Sequence, residues 1–265
     1  IIAAASERNV GKLLVQGLHK MEYRGYDSAG IALHQNDKIA HLRTLGKVKL
    51  LEEKMIAEKP KSKLGIAHTR WATHGEPSEE NAHPHKSNDR VYIVHNGIIE
   101  NYLDLKDFLQ QEGYSFTSQT DSELIAHMLE YFLSKGNTML DAMYLTKEKL
   151  DGAYAIAAID KEDDTNIIIA RSKSPLLIGV GIDEFLAASD PLAIGQLTNE
   201  FIFLEDGDVA EISSQSYTIY DESKNKVDRE ITNIDISSQA TSKGEYKHFM
   251  EKEIYEQPEA ILNTI

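Results

Sequence analysis

The sequence contains no cysteine. Within its 265 residues this excludes disulfides, thiolate metal sites and any thiol nucleophile. Proline is sparse, with six residues, and no Pro/Gly/Ser-rich tract or internal repeat precedes Tyr220, so most of the chain reads as one packed unit. Positive charge is also short: 28 Lys and Arg against 43 Asp and Glu give a net charge of −15. Such a surface repels phosphate backbones and anionic lipid, which argues against nucleic-acid or membrane-surface binding but leaves anionic small molecules open to local arginines. No apolar run approaches the roughly 20 residues needed to cross a bilayer. The opening Ile1-Ile2-Ala3-Ala4-Ala5 meets Glu7 and Arg8 too soon for a signal-peptide core, so a cytoplasmic protein is expected. What is present, 41% hydrophobic residues, suffices for the core of one large domain or two small ones.

Alternating or β-branched runs predict ten strands: Ser28 to His34, Lys38 to Leu45, Leu64 to His68, Val91 to His95, Ala153 to Asp160, Asn166 to Ala170, Leu176 to Val180, Glu200 to Leu204, Asp208 to Ile212 and Ser216 to Tyr220. Helical spacing relates Val10, Leu13, Leu14, Gly17, Leu18 and Met21, and again Leu103, Leu105, Phe108 and Leu109 ahead of Gly113. Thr120-Asp121-Ser122-Glu123 has the form of a capping box opening a helix that runs to Lys135. The late strands follow one another closely, with Asp206-Gly207 after Leu204. This favours antiparallel meanders, hence antiparallel sheets covered by helices. Beyond Tyr220 the composition turns polar as far as Lys243, and Tyr246 to Ile265 reads as helix leading out of the domain.

Chemistry-bearing residues concentrate in two stretches, His68 to Gly75 with its continuation to His85, and Val94 to Asn101. Both follow strands, where loops on a rigid scaffold carry binding groups. Arg70 could grip a carboxylate with two hydrogen bonds, and Asn96-Gly97 could offer a side-chain amide and a backbone N–H to one oxyanion. Each has a plainer reading. Asn96-Gly97 has the form of a turn, Trp71 of a core anchor, Asp121 of a helix start, and Arg24 of an ion-pair partner for Asp27. The five histidines from His68 to His95 match no common zinc spacing, so no metal site is expected.

Three stretches carry a resemblance: Glu22 to Gly30, His68 to Gly75, and His95-Asn96-Gly97-Ile98-Ile99-Glu100-Asn101. Together with the tail Gly244 to Pro258 they resemble the glutaminase domains of the glutamine–fructose-6-phosphate aminotransferase family, over almost the whole chain. The resemblance implies an α+β fold of the N-terminal nucleophile hydrolase type, a four-layer αββα sandwich with two antiparallel sheets between helix layers. It implies a glutaminase domain over residues 1–238 and a helical linker, 239–265, toward a sugar isomerase module outside this chain. Family members begin Cys-Gly ahead of the apolar strand that Ile1-Ile2-Ala3 resembles, so a chain beginning at Ile1 is expected to be inactive. The resemblance gives Asn96 and Gly97 the oxyanion hole, Arg70 the α-carboxylate of glutamine and Asp121 its α-ammonium. Thr73 and His74 would line the glutamine pocket, Trp71, among the substrate-binding residues, would help gate ammonia passage toward the sugar site, His83 would belong to the same mobile loop region, and Arg24 would lie near the nucleophile. The implied partners are glutamine, fructose 6-phosphate through the other module, and a second copy in a homodimer, with no cofactor. A catalytically dead glutamine-binding or regulatory module is the alternative.

Overall fold

The computed structural model describes residues 1–71, 75–236, 254, 255 and 257, the Arg24 side chain excepted. Contacts divide the chain into Ile1–Ile234 and Asp235–Ile265. In the second unit Ile254, Tyr255 and Gln257 are helical, and the rest of the expected terminal helix lies outside the described residues.

The first unit holds fifteen strands: β1 (Ile2–Ser6), β2 (Ser28–Gln35), β3 (Lys38–Leu45), β4 (Leu64–Arg70), β5 (His85–Ser87), β6 (Val91–Ile99), β7 (Gly152–Asp160), β8 (Ile167–Ser172), β9 (Leu177–Val180), β10 (Glu184–Ala188), β11 (Glu200–Phe203), β12 (Val209–Ile212), β13 (Tyr217–Tyr220), β14 (Lys226–Val227) and β15 (Ile231–Asn233). They form two antiparallel sheets. One has the order β15-β11-β9-β10-β1-β4-β2-β3, the other β14-β13-β12-β8-β7-β6-β5. Helices α1 (Gly11–Met21) and α2 (Val48–Glu58) cover the first sheet, while α3 (Tyr102–Gln111), α4 (Glu123–Ser134) and α5 (Met139–Lys147) cover the second. This is the expected four-layer α+β sandwich.

The core follows from strand alternation, since successive side chains point to opposite faces. Ile1, Ala3 and Ala5 of the β1 segment, Leu64 and Ile66 of β4, Tyr92 and Val94 of β6 and Ala155, Ala157 and Ile159 of β7 form one cluster between the sheets. The opposite residues of the second sheet, among them Ile93, Ile156 and Ala158, pack against Leu124, Met128 and Leu129 of α4. Both faces are therefore apolar, and β1, flanked by β10 and β4, is wholly buried.

Two expectations fail. The capping box does not form: α4 begins at Glu123, and the Ser122 N-cap makes no side-chain capping bond. The Glu123 carboxylate instead accepts from the backbone and hydroxyl groups of Thr117 and Ser118, and the Thr120 hydroxyl meets His85 Nε2 at 3.0 Å. Asp206-Gly207 does not close a meander hairpin either. β11 belongs to the first sheet and β12 to the second, so this turn, with Gly207 at φ +91°, carries the chain between layers.

Candidate functional site

At one end of the inter-sheet space the inner-face rows change from apolar to polar. Along β4, Leu64 and Ile66 lie in the core, and the same face continues with His68 and Arg70. Along β6, Tyr92 and Val94 are followed on that face by Asn96. Along β10, Ala187 is followed by Ser189, whose hydroxyl accepts from the Ile1 amino group at 3.0 Å. These row ends surround a cavity of about 400 Å³, also lined by Trp71, His83, His95, Gly97, Thr120, Asp121 and Ser122. Its size falls within the usual range for small-molecule sites.

Asn96-Gly97 lies inside β6, opposite Ala155 and Tyr154 of β7, so the turn reading is wrong. The strand extends four residues past His95, the expected end. Gly97 sits at φ +128°, and a Cβ there would come within 1.9 Å of the Ala153 carbonyl oxygen, a position only glycine fills. The Asn96 amide oxygen lies 2.8 Å from His68 Nε2, directly across the gap between sheets.

Charge is fixed at the cavity wall. Arg70 is buried and donates through one guanidinium nitrogen to the Gly75 carbonyl at 3.2 Å. Burial lowers its pKa, while the Asp27 and Asp121 charges act in the opposite direction. Asp121 is also buried, accepting the Ile99 backbone N–H at 2.8 Å and the Ser122 hydroxyl at 3.3 Å. A carboxylate has about four lone-pair directions, so two bonds leave capacity for a ligand cation. Beneath the cavity His68, His83, His85 and His95 are all buried. Burial is the main cause holding each imidazole below its ordinary pKa, and for His68 the nearby chain-terminal amine adds to it. His95 Nδ1 meets the Ser122 hydroxyl at 2.9 Å. Among the described residues no group of three histidine, aspartate or glutamate side chains is arranged to hold a metal ion.

Of the residues singled out in the sequence, Arg70, Trp71, His83, Asn96, Gly97 and Asp121 meet at this one cavity. Thr73 and His74 lie outside the described residues, as does the Arg24 side chain, whose backbone forms part of a 3-10 turn, Glu22–Arg24. Trp71 is 65% exposed, its ring nearly perpendicular to that of Tyr26, and the exposure rules out the core-anchor reading. His83 is 4% exposed, its ring 4.2 Å from that of His68, so it is part of the packed floor rather than a loop surface. His68, His95, Ser122 and Ser189 line the cavity without having been singled out. The two serines carried no sequence signal, whereas His68 could have been found by extending the Leu64-Ile66 alternation.

Comparison with known proteins agrees with this geometry. Residues 68–196 match the family model described as a glutamine amidotransferase domain. The protein named glutamine–fructose-6-phosphate aminotransferase (isomerizing) of Vibrio parahaemolyticus is 49% identical over 266 residues, covering 100% of this chain and 43% of its own. The protein of the same name from Haemophilus ducreyi is 51% identical with the same coverage. The chain thus spans less than half the length of these relatives. Among solved structures, glutamine phosphoribosylpyrophosphate amidotransferase from B. subtilis superposes with a TM-score of 0.73 at 26% identity, over 85% of this chain and 49% of that one. The chain is a glutamine amidotransferase domain with the N-terminal nucleophile fold. The particular version it resembles is the glutaminase part of glutamine–fructose-6-phosphate aminotransferase.

Proposed function

We propose that the cavity hydrolyses glutamine to glutamate and ammonia, using a cysteine two positions ahead of Ile1. The observation that carries this reading is the inner-face row of β1. Ile1, Ala3 and Ala5 share one face, so the residue two ahead of Ile1 continues the same row into the cavity. Extending the register Ile2↔Ala67 sets it opposite Arg70. The Ile1 nitrogen, bonded to Ser189, can keep that bond as a peptide N–H.

In this reading Arg70 grips the α-carboxylate of glutamine and Asp121 its α-ammonium, Thr73 and His74 serve the glutamine pocket, Trp71 helps gate the passage of ammonia, and Arg24 acts near the nucleophile. His83 supports the floor. The thiolate attacks the side-chain carbonyl carbon, and the carbonyl electron pair moves to oxygen, held by Asn96 Nδ2–H and the Gly97 N–H. The terminal α-amine, with an ordinary pKa of about 7.7–8.0, takes the thiol proton and passes it to the departing nitrogen. The C–N bond breaks and ammonia leaves. Water then adds to the thioester and the C–S bond breaks, giving glutamate and the free thiol. No step needs a metal or organic cofactor.

The relatives' names support a role for fructose 6-phosphate, and the family resemblance extends the reading further. On this reading residues 1–238 are the glutaminase domain, and 239–265 lead toward a sugar isomerase module. That module uses the ammonia to turn fructose 6-phosphate into glucosamine 6-phosphate, within a cytoplasmic homodimer. The chain beginning at Ile1 has no thiol and turns over no glutamine. Placing Cys-Gly before Ile1, with the amine free, should produce glutamate and ammonium in equal amounts. With fructose 6-phosphate added, this extended chain should still release ammonium and make no amino sugar. A folded extended protein that binds glutamine without cleaving it would leave only the binding-module reading.

A further inference from the structure

Asn96 can serve an oxyanion only if its NH2 and not its oxygen faces the cavity, and a free side-chain amide presents either. The structure contains a device that chooses. His68, one strand over on the facing sheet, reaches the Asn96 amide oxygen at 2.8 Å. Its other nitrogen, Nδ1, is buried and finds no hydrogen-bond partner among the described residues. A neutral imidazole has one N–H, and orphaned buried N–H groups are rare, so the proton belongs on Nε2. Burial above all keeps His68 neutral, and His83, His85 and His95 around it add no negative charge; the positive amine of Ile1 acts in the same direction only in the chain that begins there. The ring is held from behind by the His83 ring at 4.2 Å, and that residue's backbone is pressed so closely on Gly30 that a Cβ there would lie 2.1 Å from the His83 carbonyl oxygen.

We infer that His68 is a positioning residue for glutamine hydrolysis: its Nε2–H holds the Asn96 oxygen away from the substrate and leaves the amide NH2 aimed at the developing oxyanion. The reverse pairing, with Nε2 accepting from Asn96, would turn the amide oxygen toward negative charge. The inference rests on the hydrolytic reading above for its function but not for its geometry.

Two measurements separate the two. In the chain beginning at Ile1, ¹⁵N spectra of the imidazole rings should assign His68 as the neutral Nε2–H tautomer and keep it so from pH 8 to 5.5. An Nδ1–H tautomer overturns the proposal whatever the enzyme does. In the chain extended by Cys-Gly, glutaminase activity is established first, and its failure counts against the proposed function alone. His68→Ala should then lower kcat about 10- to 100-fold, less than removal of the donor itself, with the KM for glutamine within about twofold. His68→Gln, which retains an N–H donor, should recover part of the loss. Adding His68→Ala to Asn96→Ala should cost nothing further, because the group being positioned is gone. A full additional loss in that background, or a KM rise that accounts for the whole effect, overturns the proposal.

Discussion

At Asn96 the β6 backbone is fixed by pairing with β7, so alanine there should keep the strand, at a cost of about 1–3 kcal/mol for the buried His68 N–H left without its partner. In the Cys-Gly-extended chain Asn96→Ala is expected to reduce kcat by roughly 10²–10³-fold while glutamine binding, carried by Arg70 and Asp121, changes little. Steady-state kinetics on the folded variant check this, and lost binding with normal turnover at saturation would reject the oxyanion role. The residue pair was legible in the sequence as polar groups after a strand, but its conformation was not. Asn-Gly is a common turn dipeptide, and only the opposing Ala153 carbonyl reveals why glycine is needed inside a strand. Ser189 was illegible for a different reason: its role depends on register with Ile1, 188 residues away in sequence.

Among the elements, α1 packs on β1 at unusually short range. A Cβ on Gly17 would lie 2.3 Å from Ile2 Cδ1 and 2.8 Å from the Ala193 carbonyl oxygen. Alanine is better than glycine in an isolated helix by about 1 kcal/mol, but overpacking a closed core costs about 1–3 kcal/mol. Because the obstacle includes backbone, the clash should win, and Gly17→Ala should lower stability in urea unfolding; a higher midpoint would mean that α1 can slide on the sheet. The amphipathic spacing that located α1 was equally clear for α3, and nine of the ten strand expectations lie within about two residues of an observed element at both ends. The elements that escaped notice are α2, α5, β5, β10, β14 and β15, and most of them have weak patterns. Only Val48 and Leu51 of α2 are buried, and β5, β14 and β15 have two or three residues each. Their positions are set by the sheets they join, which no local pattern encodes.

For the molecule as a whole, the four buried histidines around the cavity, His68, His83, His85 and His95, link folding to acidity. Above pH 6.5 they are neutral in both folded and unfolded chains and add no pH dependence. Below it the unfolded chain takes up protons that the folded interior resists, so stability falls as pH falls. Each can contribute a slope of up to about 1.4 kcal/mol per pH unit, on top of the loss from carboxylates at lower pH. Thermal melts at pH 7.5, 6.5 and 5.5 should therefore show the larger drop in Tm over the second interval. A flat profile would mean that these rings carry protons in the native state. The individual histidines were visible in the sequence, but their convergence was not, because β4, β6 and the segment leading into β5 meet only when the two sheets close.

The buried start of β1 has a practical consequence for anyone preparing the protein. Ile1 is 1% exposed, its nitrogen donates to Ser189, and the residue lines the 400 Å³ cavity. Residues joined ahead of Ile1 would continue the inner-face row of β1 into this cavity, so a purification tag there would compete for the space proposed for the amino-acid ligand. Affinity handles therefore belong at the other terminus.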